Sequence, residues 1–165
     1  MIFTFPSEPI APVAGYEDLV VGQRYSLGSV SLDRADTIGF ATDYDPQPFH
    51  LDDAAAEKSV FGQLVASGLH TIGAIFSLSV RVGVLSRCNL AGTGMTDVKW
   101  LRAVRPGDVL SLEWTILSVT PSARRPERAA VHIRYDVTNQ DGQPTLSLEQ
   151  SRYDEICCCR ATQIL

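Results

Sequence analysis

The sequence predicts an α+β fold, in which a curved antiparallel sheet wraps around one long central helix. Residues 109–119 and 129–138 alternate apolar and polar side chains, which is the pattern of strands with one buried and one wet face. The segment from Ser67 to Gly83 has apolar residues on nearly every side, as a fully buried helix does. Ser67 is a suitable N-cap for this helix. Its two internal glycines, Gly73 and Gly83, suggest close packing against the sheet.

Two further strands are predicted at 96–104 and 145–154, because both segments are rich in residues that favour strands. Arg105-Pro-Gly-Asp108 forms a tight turn between two of the strands, and Asn139-Gln-Asp-Gly142 forms a hairpin turn between two others. Connections this short join antiparallel neighbours, so the four strands form one antiparallel sheet.

The first part of the chain is less regular. Residues 1–15 contain prolines and no clear period, so they are expected to form an N-terminal arm, and residues 16–165 are expected to form the single folded domain. A first strand is predicted within 22–32, with Tyr25, Leu27, Ser29 and Ser31 on one face. Asp33 is predicted to cap the next helical segment, and a short helix is expected at 52–59.

Composition limits the possible functions. The chain has 165 residues, 45% of them hydrophobic, and a net charge of -5. This acidic balance argues against a nucleic-acid partner, which would need a concentrated basic face. The sequence has no apolar stretch of the roughly 18 residues that a membrane helix needs, and no secretory signal at Met1–Phe5. A cytoplasmic protein without membrane association is therefore expected.

The cysteines give no metal-binding pattern. Three of the four cysteines are consecutive, Cys157, Cys158 and Cys159, and neighbouring residues of an extended chain point to opposite sides. The chain contains no CxxC spacing. The three residues are therefore interpreted as reduced structural thiols, and no metal site is predicted.

One of the three histidines stands next to a possible partner. His50 follows Asp45 by five residues, across a segment stiffened by Pro46 and Pro48. If the loop bends back, the carboxylate and the imidazole can share one pocket. The alternative is an ordinary proline turn in which Asp45 caps a backbone amide. His70 is expected to be a packing residue whose hydrogen bonds are satisfied, and His132 to face solvent.

The start of the predicted central helix is a second candidate site. The backbone N–H of Gly68 would be unpaired there, at the positive end of the helix dipole. Such an amide can stabilise an oxyanion as it forms, and a glycine lets a ligand come close. The alternative is that Gly68 only allows close packing of the chain where the helix begins.

These elements together resemble a known family. Asp45-Pro-Gln-Pro-Phe-His50, Gly62-Gln-Leu-Val-Ala-Ser-Gly68 and the segment from Trp100 to Asp108 are similar, in order and spacing, to the motifs of MaoC-like dehydratases, which include (R)-specific enoyl-CoA hydratases. The similarity runs from about Tyr16 to Tyr153. Gln47 stands where the family usually has Asn, which keeps the amide chemistry.

The resemblance implies a hot-dog fold, a homodimer or a higher assembly of dimers, and an acyl-CoA or acyl-carrier thioester as substrate. It implies Asp45 and His50 as the acid/base pair and Gly68 as the oxyanion donor. The implied reaction adds water to, or removes it from, the C2–C3 bond, with coenzyme A only as part of the substrate and no bound cofactor. Burial is expected to raise the pKa of Asp45. The alternatives are a thioesterase of the same fold and a non-catalytic acyl-thioester-binding module.

Overall fold

The computed structural model describes residues 1–155 and confirms the predicted α+β class. Six antiparallel strands form one sheet in the order β1-β2-β4-β5-β6-β3. The strands are β1 (Ile2–Thr4), β2 (Arg24–Ser31), β3 (Asn89–Trp100), β4 (Val109–Pro121), β5 (Arg128–Thr138) and β6 (Pro144–Glu155). The helices are α1 (Arg34–Tyr44), α2 (Pro48–Leu51), α3 (Asp53–Glu57) and α4 (Gly68–Val82), and a short 3-10 helix spans Tyr16–Asp18.

The core lies between α4 and one face of the sheet. The apolar residues predicted to be buried on β4 and β5 are buried, including Trp114 and Tyr135, whose rings lie 5.2 Å apart. Both predicted turns are present, with Asp108 N donating to Arg105 O at 3.0 Å and Gly142 N donating to Asn139 O at 3.0 Å. The exposed position of His132 is also as predicted.

The predicted limits of the central helix are confirmed, whereas its predicted surroundings are wrong. Ser67 accepts a hydrogen bond from Leu69 N. Gly83 ends the helix with φ 76°, so it is the C-cap and not an internal glycine. However, Leu69, Phe76 and Val80 are exposed, so one face of α4 is uncovered within the single chain. A Cβ placed on Gly73 would meet no atom within 4 Å, so this glycine does not mark close packing.

The first predicted strand is interrupted by a bulge. The pairing of β2 with β4 shifts between Ser26 and Ser29, and Gly28 lies there with φ 86°. The buried side chains therefore change from Tyr25 and Leu27 to Val30, and Ser29 and Ser31 do not continue the first face. The prediction of one continuous face was wrong because a bulge adds a residue to one strand.

The N-terminal residues contain a short strand that the sequence did not predict. Strand β1 pairs with β2, with Phe3 opposite Val30. A Cβ on Gly28 would lie 2.2 Å from the carbonyl oxygen of Thr4, so β1 can approach only because position 28 is a glycine.

Strand β3 differs from its prediction. It begins at Asn89 and ends at Trp100, whereas the predicted strand covered 96–104. The glycines at 92 and 94 weakened the strand pattern of the first half. Residues 101–104 instead leave the sheet and cross towards the start of α4, where Ala66 N donates to Val104 O at 2.8 Å.

The three consecutive cysteines, Cys157, Cys158 and Cys159, lie outside the described residues. The fourth cysteine, Cys88, is buried as a free thiol.

Within residues 1–155, none of the helices combines the length and the apolar character that a membrane crossing requires.

Candidate active site

A sharp bend brings Asp45 and His50 together. Helix α1 ends at Tyr44, and Asp45 N donates to Ala41 O at 3.0 Å as the C-cap. Helix α2 begins three residues after Asp45, with Pro48 in its first turn. As a result Asp45 Oδ2 lies 3.4 Å from His50 Nε2, although five extended residues would span roughly 16 Å.

His50 lies in the short helix α2. Pro48 occupies the first turn of α2, where a missing N–H removes no hydrogen bond, so the proline is tolerated there. His50 N donates to Gln47 O at 2.9 Å, which places the imidazole in a fixed, buried position.

A backbone carbonyl determines the tautomer of His50. Nδ1 lies 2.8 Å from the carbonyl oxygen of Val65. A carbonyl oxygen can only accept, so Nδ1 carries the proton and donates it. In the neutral imidazole the lone pair is therefore on Nε2, the nitrogen that faces Asp45.

Two side chains donate to Asp45. Ser67 Oγ donates to Oδ2 at 2.6 Å, and Gln47 Nε2 donates to Oδ1 at 2.8 Å. These hydrogen bonds lower the pKa of Asp45 from its ordinary value, and the bond from Ser67 has the largest effect. Together they outweigh burial, which acts in the opposite direction. The expectation of a raised pKa was wrong, because Ser67 at the start of α4 and Gln47 in the loop supply donors that a purely apolar pocket would lack.

Gly68 lies at the first position of α4, where helical amides have no partner within the helix. Ser67 Oγ accepts from the amide of Leu69 at 3.2 Å. Within residues 1–155, no acceptor pairs with the Gly68 N–H. On the side of the missing Cβ lies the indole of Trp100, so the glycine accommodates this ring.

One pocket of about 440 Å³ contains all three predicted site residues, Asp45, His50 and Gly68. This volume is typical of small-molecule sites. The remaining wall is mostly apolar, with Arg102 as a cationic residue. Its other lining residues include Phe49, Phe61, Val65, Leu69, Trp100 and Val104.

Several residues of the site could not be assigned a role from the sequence. Ser67 was predicted only as a helix cap, yet it also bonds the Asp45 carboxylate. The contacts of Val65 and Trp100 join segments distant in the chain, so no local pattern reveals them. His70 is a packing residue as predicted, since it is buried and its ring is stacked 4.6 Å from Phe40. The expectation that its hydrogen bonds are satisfied is wrong for Nδ1, which has no partner within residues 1–155.

Comparisons with known proteins agree with this architecture. A solved MaoC-like dehydratase from Rhodospirillum rubrum is 38% identical and has a TM-score of 0.79, over 85% of this chain and 95% of that chain. The R-hydratase PhaJ1 from Pseudomonas aeruginosa is 26% identical with a TM-score of 0.69, over 87% of this chain and 86% of its own. These neighbours share the hot-dog arrangement of sheet and helix.

A relative with a named reaction is also similar. The 3-hydroxybutyryl-CoA dehydratase of Methylorubrum extorquens is 29% identical over 140 residues, which are 82% of this chain and 84% of that relative. The sequence model described as "MaoC like domain" matches residues 18–140. The chain therefore belongs to the MaoC-like dehydratase family.

Proposed function

We propose that this protein is a hydro-lyase that adds water to, or removes it from, the C2–C3 bond of an acyl thioester. The main support is the 3.4 Å approach of Asp45 Oδ2 to His50 Nε2 in a pocket that also contains the Gly68 amide. A general base, an acid and an oxyanion donor are the groups that this reaction needs.

In the hydration direction, one water molecule lies beside the pair, on the side of the pocket, and donates a hydrogen to each of the two acceptors. The hydrogen bonds from Ser67 and Gln47 lower the pKa of Asp45, which makes this carboxylate a weaker proton acceptor. Nε2 of His50 carries a lone pair, because Nδ1 donates to Val65 O, so His50 is the proposed base. As the water oxygen bonds to C3, its proton passes to Nε2 of His50. The Asp45 carboxylate orients the water and stabilises the imidazolium that forms.

The electron pair of the double bond moves towards the thioester oxygen. The resulting enolate is held by the N–H of Gly68, at the positive end of the α4 dipole. The imidazolium of His50 then returns its proton to C2, so one water is consumed and the site regains its starting state. Dehydration follows the same steps in reverse.

The proposed substrate is an acyl thioester of coenzyme A. The alternative is the same acyl thioester carried by an acyl-carrier protein. The apolar wall formed by Phe49, Phe61 and Leu69 suits an acyl chain. Arg102 lines the pocket and is exposed, so it can bind a phosphate of the coenzyme A or carrier part of the substrate. The relative named 3-hydroxybutyryl-CoA dehydratase supports this choice.

Two assays on the same enoyl-CoA and saturated acyl-CoA substrates separate the candidate functions. A hydratase removes the absorbance of the conjugated enoyl thioester without releasing a thiol. A thioesterase releases free coenzyme A, which a thiol-reactive dye detects. A binding module would raise the melting temperature with ligand while neither assay responds. The proposal requires the first result.

We also propose that two copies pair through the free edge at β3. This edge strand is exposed at nearly every position, including Leu90, Met95 and Trp100, whereas the other edge, β1, has three residues. Long exposed edge strands favour pairing with another strand. Light scattering should give the mass of two chains or a multiple of it, and the mass of one chain would contradict the pairing.

A further inference from the structure

The proposed reaction places negative charge on the thioester oxygen, and so far this oxygen has one protein donor, the N–H of Gly68. Oxyanion sites often combine two or more donors, since an oxygen accepts along several lone-pair directions. A second donor would have to line the same pocket, lie close to the Gly68 amide and have no other acceptor. The side chain of Trp100 meets these three conditions.

Trp100 lines the pocket from the end of β3, where the chain leaves the sheet. The next residue, Leu101, is fixed to the neighbouring strand by a hydrogen bond from its N–H to Thr145 O at 2.9 Å. The contact between the indole and Gly68 lies within one chain, so it does not depend on the second copy that we propose at β3. The indole is therefore held at the start of α4 by its own chain.

The indole nitrogen is close enough to the Gly68 amide for both to bind one oxygen. A Cβ on Gly68 would be 2.5 Å from Nε1 of Trp100. Covalent geometry puts the same point about 2.5 Å from the amide nitrogen of Gly68, so the two nitrogens are at most about 5 Å apart. An oxygen that accepts from each at about 2.9 Å can bridge nitrogens up to about 5.8 Å apart. One thioester oxygen can therefore accept from both.

Gly68 does not block the indole N–H. A point directly ahead of an N–H bond is much farther from the two carbons beside the nitrogen than from the nitrogen itself. The Cβ position of Gly68, however, is 2.7 Å from Cε2 and 3.1 Å from Cδ1 of Trp100, close to its distance of 2.5 Å from Nε1. Gly68 therefore faces the flat side of the ring, and the N–H points past it.

The N–H of Trp100 is also unused. It has no acceptor within residues 1–155, and the residue is 55% exposed, so a ligand can reach it. By contrast, the hydroxyls of Thr71 and Thr145 in the same pocket donate to the carbonyl oxygens of Ser67 and Gln143. An indole nitrogen can only donate, so it can stabilise an enolate without accepting a proton from the substrate or the water.

We infer that Trp100 is a further catalytic residue, whose indole N–H binds the thioester oxygen of the substrate together with the N–H of Gly68. This inference rests on the proposed hydration. The hydrogen bond strengthens as the oxygen gains charge, because bonds to a charged acceptor are stronger than those to a neutral carbonyl. Its effect is therefore larger on the chemical step than on substrate binding.

The first test is the hydration of crotonyl-CoA by the full-length Trp100→Phe protein. This substitution keeps an aromatic ring beside Gly68 and removes the N–H. The kcat should fall roughly ten- to hundredfold, while KM changes by less than about threefold. A wild-type kcat in Trp100→Phe, or a loss confined to KM, would overturn the inference and leave the proposed function in place.

The indole N–H resonances distinguish a donor from a residue that only supports Gly68. The chain has two tryptophans, so the resonance missing in Trp100→Phe belongs to Trp100, and the buried Trp114 is the internal control. If Trp100→Phe does not fold, the slower exchange of the Trp114 N–H with solvent assigns the two resonances. Butyryl-CoA, which has the thioester without the double bond, should move the Trp100 resonance downfield and leave that of Trp114 in place. Free coenzyme A, which lacks the thioester oxygen, should move neither.

An unmoved Trp100 resonance, or an equal shift with free coenzyme A, would overturn the inference even if Trp100→Phe is slow. A downfield shift in a wild-type protein that does not hydrate enoyl-CoA would contradict the proposed hydration and keep Trp100 as a donor to the thioester oxygen. The two proposals therefore fail on different results.

Discussion

The indole of Trp100 occupies the space that a side chain on Gly68 would need. A Cβ at position 68 would lie 2.5 Å from Nε1 and 2.7 Å from Cε2 of this ring. The contact joins the start of α4 to the end of β3, and both residues line the pocket of Asp45 and His50. The position of the proposed oxyanion donor therefore depends on the position of the indole.

Gly68→Ala should lower kcat/KM by a factor on the order of 10², because the displaced indole and helix start would misplace the amide by a fraction of an ångström or more. In a Trp100→Ala background, Gly68→Ala should lower kcat/KM much less, because the new Cβ no longer collides with the indole. Steady-state kinetics of the four variants measures this coupling. Equal costs in both backgrounds would show that the contact with Trp100 is not the reason for the glycine.

Ser67→Ala should raise the pKa of Asp45, measured from the pH dependence of its carboxyl carbon resonance. The hydroxyl of Ser67 is the main cause of the lowered pKa of Asp45, so its removal raises that pKa and the carboxylate is protonated earlier on acidification. Ser77→Ala is the matched control, because this hydroxyl on the same helix contacts Arg81 and not Asp45. A titration of Asp45 that Ser67→Ala leaves unchanged would contradict the assignment.

The same variant should also change the pH dependence of stability. A pKa lowered by folding stabilises the protein above the ordinary value of 3.8 and ceases to do so as pH falls through the lowered value. The loss of unfolding free energy in Ser67→Ala should therefore be larger at neutral pH than near pH 3. The lost N-cap adds a pH-independent cost of about 1 kcal/mol. Urea unfolding at neutral pH and at pH 3 measures the pH-dependent and the pH-independent losses of unfolding free energy. Equal losses at the two pH values would show that the lowered pKa of Asp45 does not contribute to stability.

Cys88 should resist alkylation in the native protein. Burial, with a smaller contribution from Asp154, raises the pKa of its thiol to about 12, so the reactive thiolate is scarce near neutral pH. The chain has four cysteines, so replacing Cys157, Cys158 and Cys159 by serine leaves Cys88 alone. Mass spectrometry after iodoacetamide treatment should show labelling only with denaturant. Rapid labelling of the native variant would contradict the buried position.

Gly28→Ala should destabilise the protein more than Gly22→Ala. Both glycines have a positive φ, 86° and 85°, so each substitution carries roughly 1–2 kcal/mol of backbone strain. Only at Gly28 would the new Cβ also collide with Thr4 O, which would detach β1 from β2. Hydrogen exchange at Phe3 and Val30 should therefore accelerate in Gly28→Ala alone. Similar stability and exchange in the two variants would contradict this role.

The parts of the fold that local patterns encode were predicted well. The alternation in β4 and β5 reports directly which side chains face the core, and the cap at Ser67 marks the start of α4. The family motifs also identified Asp45, His50 and Gly68, which the structure places in one pocket. Their catalytic roles remain a prediction.

Properties that depend on distant segments could not be predicted. Ser67 and Asp45 are 22 residues apart, and their hydrogen bond reverses the expected direction of the Asp45 pKa shift. The carbonyl that determines the tautomer of His50 comes from Val65, 15 residues away. The bulge at Gly28 likewise depends on β1, which carries no clear strand pattern.

The most direct test of the proposed chemistry is the rate at which Asp45→Asn removes the absorbance of an enoyl-CoA substrate. The substitution keeps the size of the side chain and removes its charge. The rate should fall by a factor on the order of 10² to 10⁴ relative to the wild type, with the circular dichroism spectrum unchanged. A folded Asp45→Asn protein that turns over the enoyl-CoA at the wild-type rate would contradict the central claim.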